Sequence, residues 1–113
     1  MLTSVLSAIA LDFSAFGNDI TRGALTTRLV ENGPPHTIDA PVLLGQGGSD
    51  SLITPEMQAG YVSGLCEAGV SVEYRMYEGL GHVPLVEAES PLIPDLLEWT
   101  RDRHAGVDPV VTC

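Results

Sequence analysis

Asp50 and His82 are the two side chains in this 113-residue sequence whose types and surroundings point to chemistry. A carboxylate that accepts from one imidazole nitrogen fixes the ring's tautomer and leaves the other nitrogen free to take a proton. That pairing is two-thirds of a nucleophilic triad. Each residue ends a glycine-rich stretch, Gly47-Gly48-Ser49-Asp50 and Gly79-Leu80-Gly81-His82, and these glycines are expected to permit tight, positive-φ loop turns. The other histidines carry less. His36 follows Pro34-Pro35 in a connector, and His104 closes an expected helix, where a cation suits the dipole. Three scattered histidines and two cysteines without a CxxC make no metal motif. Gly45-x-Gly47-Gly48 lacks the third glycine and prompt helix of a dinucleotide loop, so no cofactor is implied.

The elements that must position Asp50 and His82 follow from hydrophobic periodicity. Residues 1–16 are expected to be helical, with Leu2, Val5, Leu6, Ile9 and Phe13 on one stripe. Residues 21–32 form a second amphipathic helix with Leu25, Leu29 and Val30 inward, stopped by Gly33-Pro34-Pro35. The pattern then changes. Residues 41–46 are a short apolar run without alternation, which suits a parallel strand buried on both faces. Thr54-Pro55 is a good helix start, because Thr accepts from free amides at the N-cap and Pro fits the first turn. Met57, Tyr61, Val62, Leu65 and Ala68 form that helix's inner face, and Gly69 ends it. Residues 72–77 are the next strand, and residues 92–104 the last helix, with Leu92, Leu96 and Trp99 inward. Residues 108–113 read as a frayed tail.

From residue 40 onward the order is strand, loop, helix, strand, loop, helix. A parallel pair joined by a right-handed crossover helix is the economical arrangement, so the fold class is α/β. Both loops then leave from the carboxyl edge of the sheet, which brings Asp50 and His82 to a common rim, where sites form in open α/β sheets. Two strands alone are marginal in water, and a run such as Val-Leu-Leu-Gly wants neighbours on both sides. The sheet is therefore expected to be incomplete.

Composition agrees. With 44% hydrophobic and 18% charged residues the chain is too apolar to stay disordered, and apolar enough that more protein is expected to cover part of it. Five basic against fifteen acidic residues give a net charge of −10, which argues against nucleic acid and against anionic lipid surfaces. The apolar start lacks a basic region before it and is interrupted by Asp12, so it does not read as a signal peptide, and no run is long enough for stable membrane insertion. Cys66, on the expected inner helix face, reads as a free thiol behaving as a small hydrophobe, and Cys113 sits in the tail.

Three segments, residues 41–56 (PVLLGQGGSDSLITPE), 68–86 (AGVSVEYRMYEGLGHVPLV) and 90–103 (SPLIPDLLEWTRDR), together resemble the carboxy-terminal portion of α/β-hydrolases. They are most similar to bacterial secretory-type lipases and esterases. The resemblance covers about residues 39–103. It implies Asp50 as triad acid, His82 as general base, a small-molecule ester or lipid substrate in the complete enzyme, and a secreted setting. It also implies a division into a helical segment 1–38 (a remnant of a cap or lid), a βαβα portion 39–106 and a tail 107–113. The departure is the nucleophile. A G-x-S-x-G elbow is absent, and the nearest string, Gly47-Gly48-Ser49-Asp50-Ser51, does not end on glycine. The chain is therefore expected to lack the amino-terminal portion of the fold and to be inactive alone. Peptidase or dienelactone-hydrolase chemistry uses the same acid–base end, and a non-catalytic module that binds a partner by strand addition is the alternative outside enzymology.

Overall fold

The computed structural model describes residues 21–113, which belong to two units, one ending at Pro35 and the other running His36–Cys113. The helix expected over residues 1–16 lies outside the described residues.

In the first unit, helix α1 spans Ala24–Glu31, with Gly23 (φ 88°) before it and no side-chain cap. Arg28 and Glu31 form an exposed ion pair at 2.7 Å, one turn apart. Leu25 and Val30, expected inward, are exposed. Residues 21–35 contain no second element on which the apolar stripe could pack.

The second unit is mixed α/β: β1 (Val42–Gly47), α2 (Pro55–Glu67), β2 (Val72–Tyr77), a 3-10 turn (Pro84–Val86) and α3 (Leu92–His104). The strands are parallel, in register from Val42 opposite Val72 to Gly47 opposite Tyr77. α2 starts where the sequence places it. Thr54 Oγ1 accepts from the Met57 amide at 3.3 Å, and Pro55 occupies the first turn, where its missing N–H is no loss. At the other end Gly69 takes φ 77°, the left-handed conformation that closes a helix, and the Val70 amide donates to the Leu65 carbonyl at 3.0 Å.

Alternation along the strands sends successive side chains to opposite faces. On one face Val42, Leu44 and Val72 meet Tyr61 and Leu65 of α2, together with Ile38, Val62, Val70 and Cys66. Leu65 and Val72 are the largest side chains fully buried among the described residues. On the other face Gly45 lies against Leu92 of α3, where a Cβ would come within 2.9 Å of the leucine methyl. That face is held by polar contacts: Arg75 pairs with Glu73 (2.6 Å) and Asp95 (3.5 Å), and the Tyr77 hydroxyl donates to Asp95 at 2.8 Å. Leu96, expected inward, is exposed, as is Leu97. The two strands found among the described residues offer α3 a narrow surface, and the flank bearing Leu96 and Leu97 stays uncovered. For the same reason most of β1 is half-buried rather than enclosed on both faces.

The carboxy terminus corrects two expectations. Cys66 is not a free thiol; it is disulfide-bonded to Cys113, with Cα atoms 5.6 Å apart. The tail is also not frayed. The Thr112 amide donates to the Val72 carbonyl (2.9 Å) and the Tyr74 amide donates to Thr112 Oγ1 (2.8 Å). These groups lie on the edge of β2 that faces away from β1, so the tail covers backbone that would otherwise be open to pairing. No helix among the described residues is long and apolar enough to cross a membrane.

Candidate active site

The parallel ladder continues past the strand ends and ties the two loops together. The Gly48 amide donates to the Tyr77 carbonyl (2.8 Å) and the Ser49 amide to the Leu80 carbonyl (2.9 Å). This approach is close enough that a Cβ on Gly47 would sit 2.4 Å from the Leu80 carbonyl oxygen, so only glycine fits there. Positive φ, expected at Gly47, Gly48, Gly79 and Gly81, occurs among these four at Gly79 alone (76°). The other three are not left-handed, and at Gly47 the requirement is space.

The loops deliver the two side chains to one another. His82 Nδ1 lies 2.8 Å from Asp50 Oδ2. The second carboxylate oxygen, Oδ1, accepts from the Leu52 amide (2.9 Å) and the Ile53 amide (3.0 Å). Burial pushes the Asp50 carboxyl upward, but the His82 hydrogen bond, the two amides and the neighbouring imidazole charge outweigh it and hold the group below its ordinary value. An ionised carboxylate can only accept, so Nδ1 must be the protonated nitrogen. Nε2 has no hydrogen-bond partner among the described residues. The Asp50 side chain is 5% exposed and that of His82 is 49% exposed, so the imidazole reaches solvent while the carboxylate behind it does not.

A cleft of about 270 Å3 opens beside the pair, bounded by Ile53, Gln58 of α2, and Leu85 and Val86 of the 3-10 turn. Its volume falls just short of the usual span for ligand clefts. Leu85 is buried and anchors the turn, and its amide donates to the Gly81 carbonyl at 3.2 Å, directly before His82. Leu52, Ile53 and Val83, which flank Asp50 and His82 in sequence, are all exposed, so core packing does not explain them; of the three, Ile53 lines the cleft.

Ser49 is poorly equipped as a nucleophile. The amide after it, that of Asp50, is already donated to the Gly47 carbonyl at 3.2 Å, and the next helix begins only at Pro55. An oxyanion needs free amide donors beside the attacking oxygen. His36 has its ring tilted against Tyr61 at 5.2 Å between centroids, and His104 lies in the last turn of α3. Among the described residues no group of three or more His, Cys, Asp or Glu is placed to hold a metal ion.

The sequence reading missed Gln46. It is 3% exposed, and its side-chain amide donates to the carbonyls of Gly47 and Ile53, both at 2.9 Å. The available signal was a lone polar residue closing an apolar strand. Comparison with family models, with curated proteins and with solved structures finds no match to this chain.

Proposed function

We propose that this chain is the acid- and base-bearing carboxy-terminal portion of an α/β-hydrolase acting on carboxylic esters, of lipase or esterase type. The observation that carries the reading is the 2.8 Å bond between His82 Nδ1 and Asp50 Oδ2 at the carboxyl rim of a parallel strand pair. In the complete enzyme His82 Nε2 takes the proton from a serine on another strand. Asp50 fixes the imidazole and stabilises the imidazolium that forms. The serine and the oxyanion donors come from sequence outside this chain. The outer edge of β1, which has no partner strand among the described residues, is where the sheet would continue. The Cys66–Cys113 disulfide supports a secreted setting, because such bonds persist in oxidising compartments.

Turnover of p-nitrophenyl esters tests the reading in two steps. The chain alone should show none; turnover abolished by His82→Ala would place the nucleophile within these residues and promote Ser49. A longer gene product carrying a G-x-S-x-G elbow should hydrolyse the ester and lose at least about 10^3-fold in kcat with His82→Ala. Retained activity in that variant overturns the assignment.

The edge of β1 that has no partner strand among the described residues would equally serve a non-catalytic module that binds a partner by strand addition. The acid–base pair favours the hydrolase, since strand addition has no use for it. Partner binding untouched by His82→Ala, in a protein with no hydrolytic activity at any length, would favour the module.

A further inference from the structure

We infer that Gln46 is a positioning residue that clamps the Asp50 loop and thereby sets the tautomer of His82. The inference concerns the site under Proposed function, but it rests on hydrogen bonds that exist whether or not an ester is the substrate.

Gln46 is the last residue but one of β1, and its side chain is buried. Both groups facing its amide are carbonyl oxygens, Gly47 O and Ile53 O at 2.9 Å each, so the NH2 end and not the oxygen must point at them. Both amide hydrogens are therefore used, one at each end of the loop that carries the acid. Each anchor belongs to a residue that also contacts Asp50 directly. The Gly47 carbonyl also accepts from the Asp50 amide at 3.2 Å. The residue whose carbonyl is held, Ile53, turns its amide to Asp50 Oδ1 at 3.0 Å. With the loop pinned at both ends, Oδ1 is occupied by backbone and Oδ2 is left to face His82 Nδ1. The apolar neighbours in β1, Val42 and Leu44, fill core; Gln46 stands at the next position on that face, level with the loop. A side chain serving only to fill space there would need no donors.

The test uses 15N NMR of the disulfide-bonded chain at a fixed pH near 8. In the wild type His82 should be almost wholly the Nδ1–H tautomer, and the Leu52 and Ile53 amides should exchange slowly. Gln46→Met keeps length and burial but cannot donate. It should leave the far-UV spectrum intact, give a mixed His82 tautomer population and speed exchange of the Leu52 and Ile53 amides at least tenfold. A folded Gln46→Met with the wild-type tautomer and wild-type protection overturns the inference.

If that variant does not fold, the wild type itself decides. The Gln46 side-chain protons should show protection factors, corrected for intrinsic exchange, within about threefold of those of the Leu52 and Ile53 amides, as members of one opening unit. Protection of the Gln46 protons tens of fold lower would show that they do not hold the loop. Because no substrate enters either measurement, a failed hydrolase assignment leaves this result standing, and the reverse holds too.

Discussion

A carboxyl group as covered as that of Asp50 would by itself resist ionisation, because burial disfavours the charged form. Its three hydrogen bonds reverse that preference, and the consequence is a stability that depends on pH. The folded value lies below the ordinary 3.8, so on acidification the unfolded chain takes up this proton first. The contribution of Asp50 is then complete above the ordinary value and disappears as pH falls through the lower folded value. Urea unfolding of wild type and Asp50→Asn between pH 6 and pH 2 should show a stability difference that shrinks once pH passes below about 4; a difference independent of pH would deny the ionised carboxylate its role. The glycines allow a second comparison. Gly47→Ala drives a Cβ against the Leu80 carbonyl and should cost about 1–3 kcal/mol, whereas Gly81→Ala meets nothing closer than 3.8 Å and should stay within about 0.5 kcal/mol. Equal losses would mean the loops have more room than the structure gives them. Asp50 and His82 were legible because both follow strands at short distances. The purpose of Gly47 was not, because close approach of one backbone to another is a tertiary fact, and a glycine needed for space looks the same in sequence as one needed for a left-handed turn.

Helix α2 and the helix on the opposite face, α3, show how far periodicity reaches. Apolar residues at three- and four-residue spacing with Thr54-Pro55 before them and Gly69 after them were sufficient to place α2, and the strands were found within a residue. Thr54→Ala removes the hydroxyl that accepts from Met57 and should cost about 1 kcal/mol by thermal or chemical unfolding, recovered in Thr54→Ser. No loss in Thr54→Ala would show that water serves the cap equally well. Periodicity identifies an apolar stripe but says nothing of what covers it, and α3 illustrates this: its stripe includes Leu96, which the structure leaves exposed, while Tyr77 and Arg75 hold the helix through Asp95. Leu65→Ala, in the enclosed core, should therefore lose about 2–5 kcal/mol, and Leu96→Ala should fall within about 0.5 kcal/mol of wild type. A large loss at Leu96 would mean that it is covered in solution, either by a second chain or by residues not described.

At the scale of the whole His36–Cys113 unit, the small core has to be judged against the cross-link that no periodicity reveals. Two cysteines 47 positions apart carry no information about distance, and residues 108–113 have neither helical nor alternating pattern, so both the disulfide and the docked tail are visible only once α2 and β2 are side by side. Closing a loop of that length removes unfolded-state entropy equivalent to about 4 kcal/mol at room temperature, a large share of the 5–15 kcal/mol that folded domains usually retain. The bond also holds Thr112 where it meets Val72 and Tyr74, so its loss should act locally as well as globally. The double variant Cys66→Ser with Cys113→Ser should lower the urea midpoint by an amount corresponding to about 2–4 kcal/mol. In the same variant the Thr112 and Tyr74 amides should lose hydrogen-exchange protection before the Leu44 amide, which lies inside the sheet. The local effect follows from geometry: with the tail released, the edge of β2 is open while the ladder between β1 and β2 still stands. If the global loss appears but Thr112 and Tyr74 keep their relative protection, the tail docks through its own hydrogen bonds and the disulfide acts on the unfolded chain alone. If neither changes, the covalent link contributes nothing, and the core around Leu65 and Val72 is sufficient to hold the unit together.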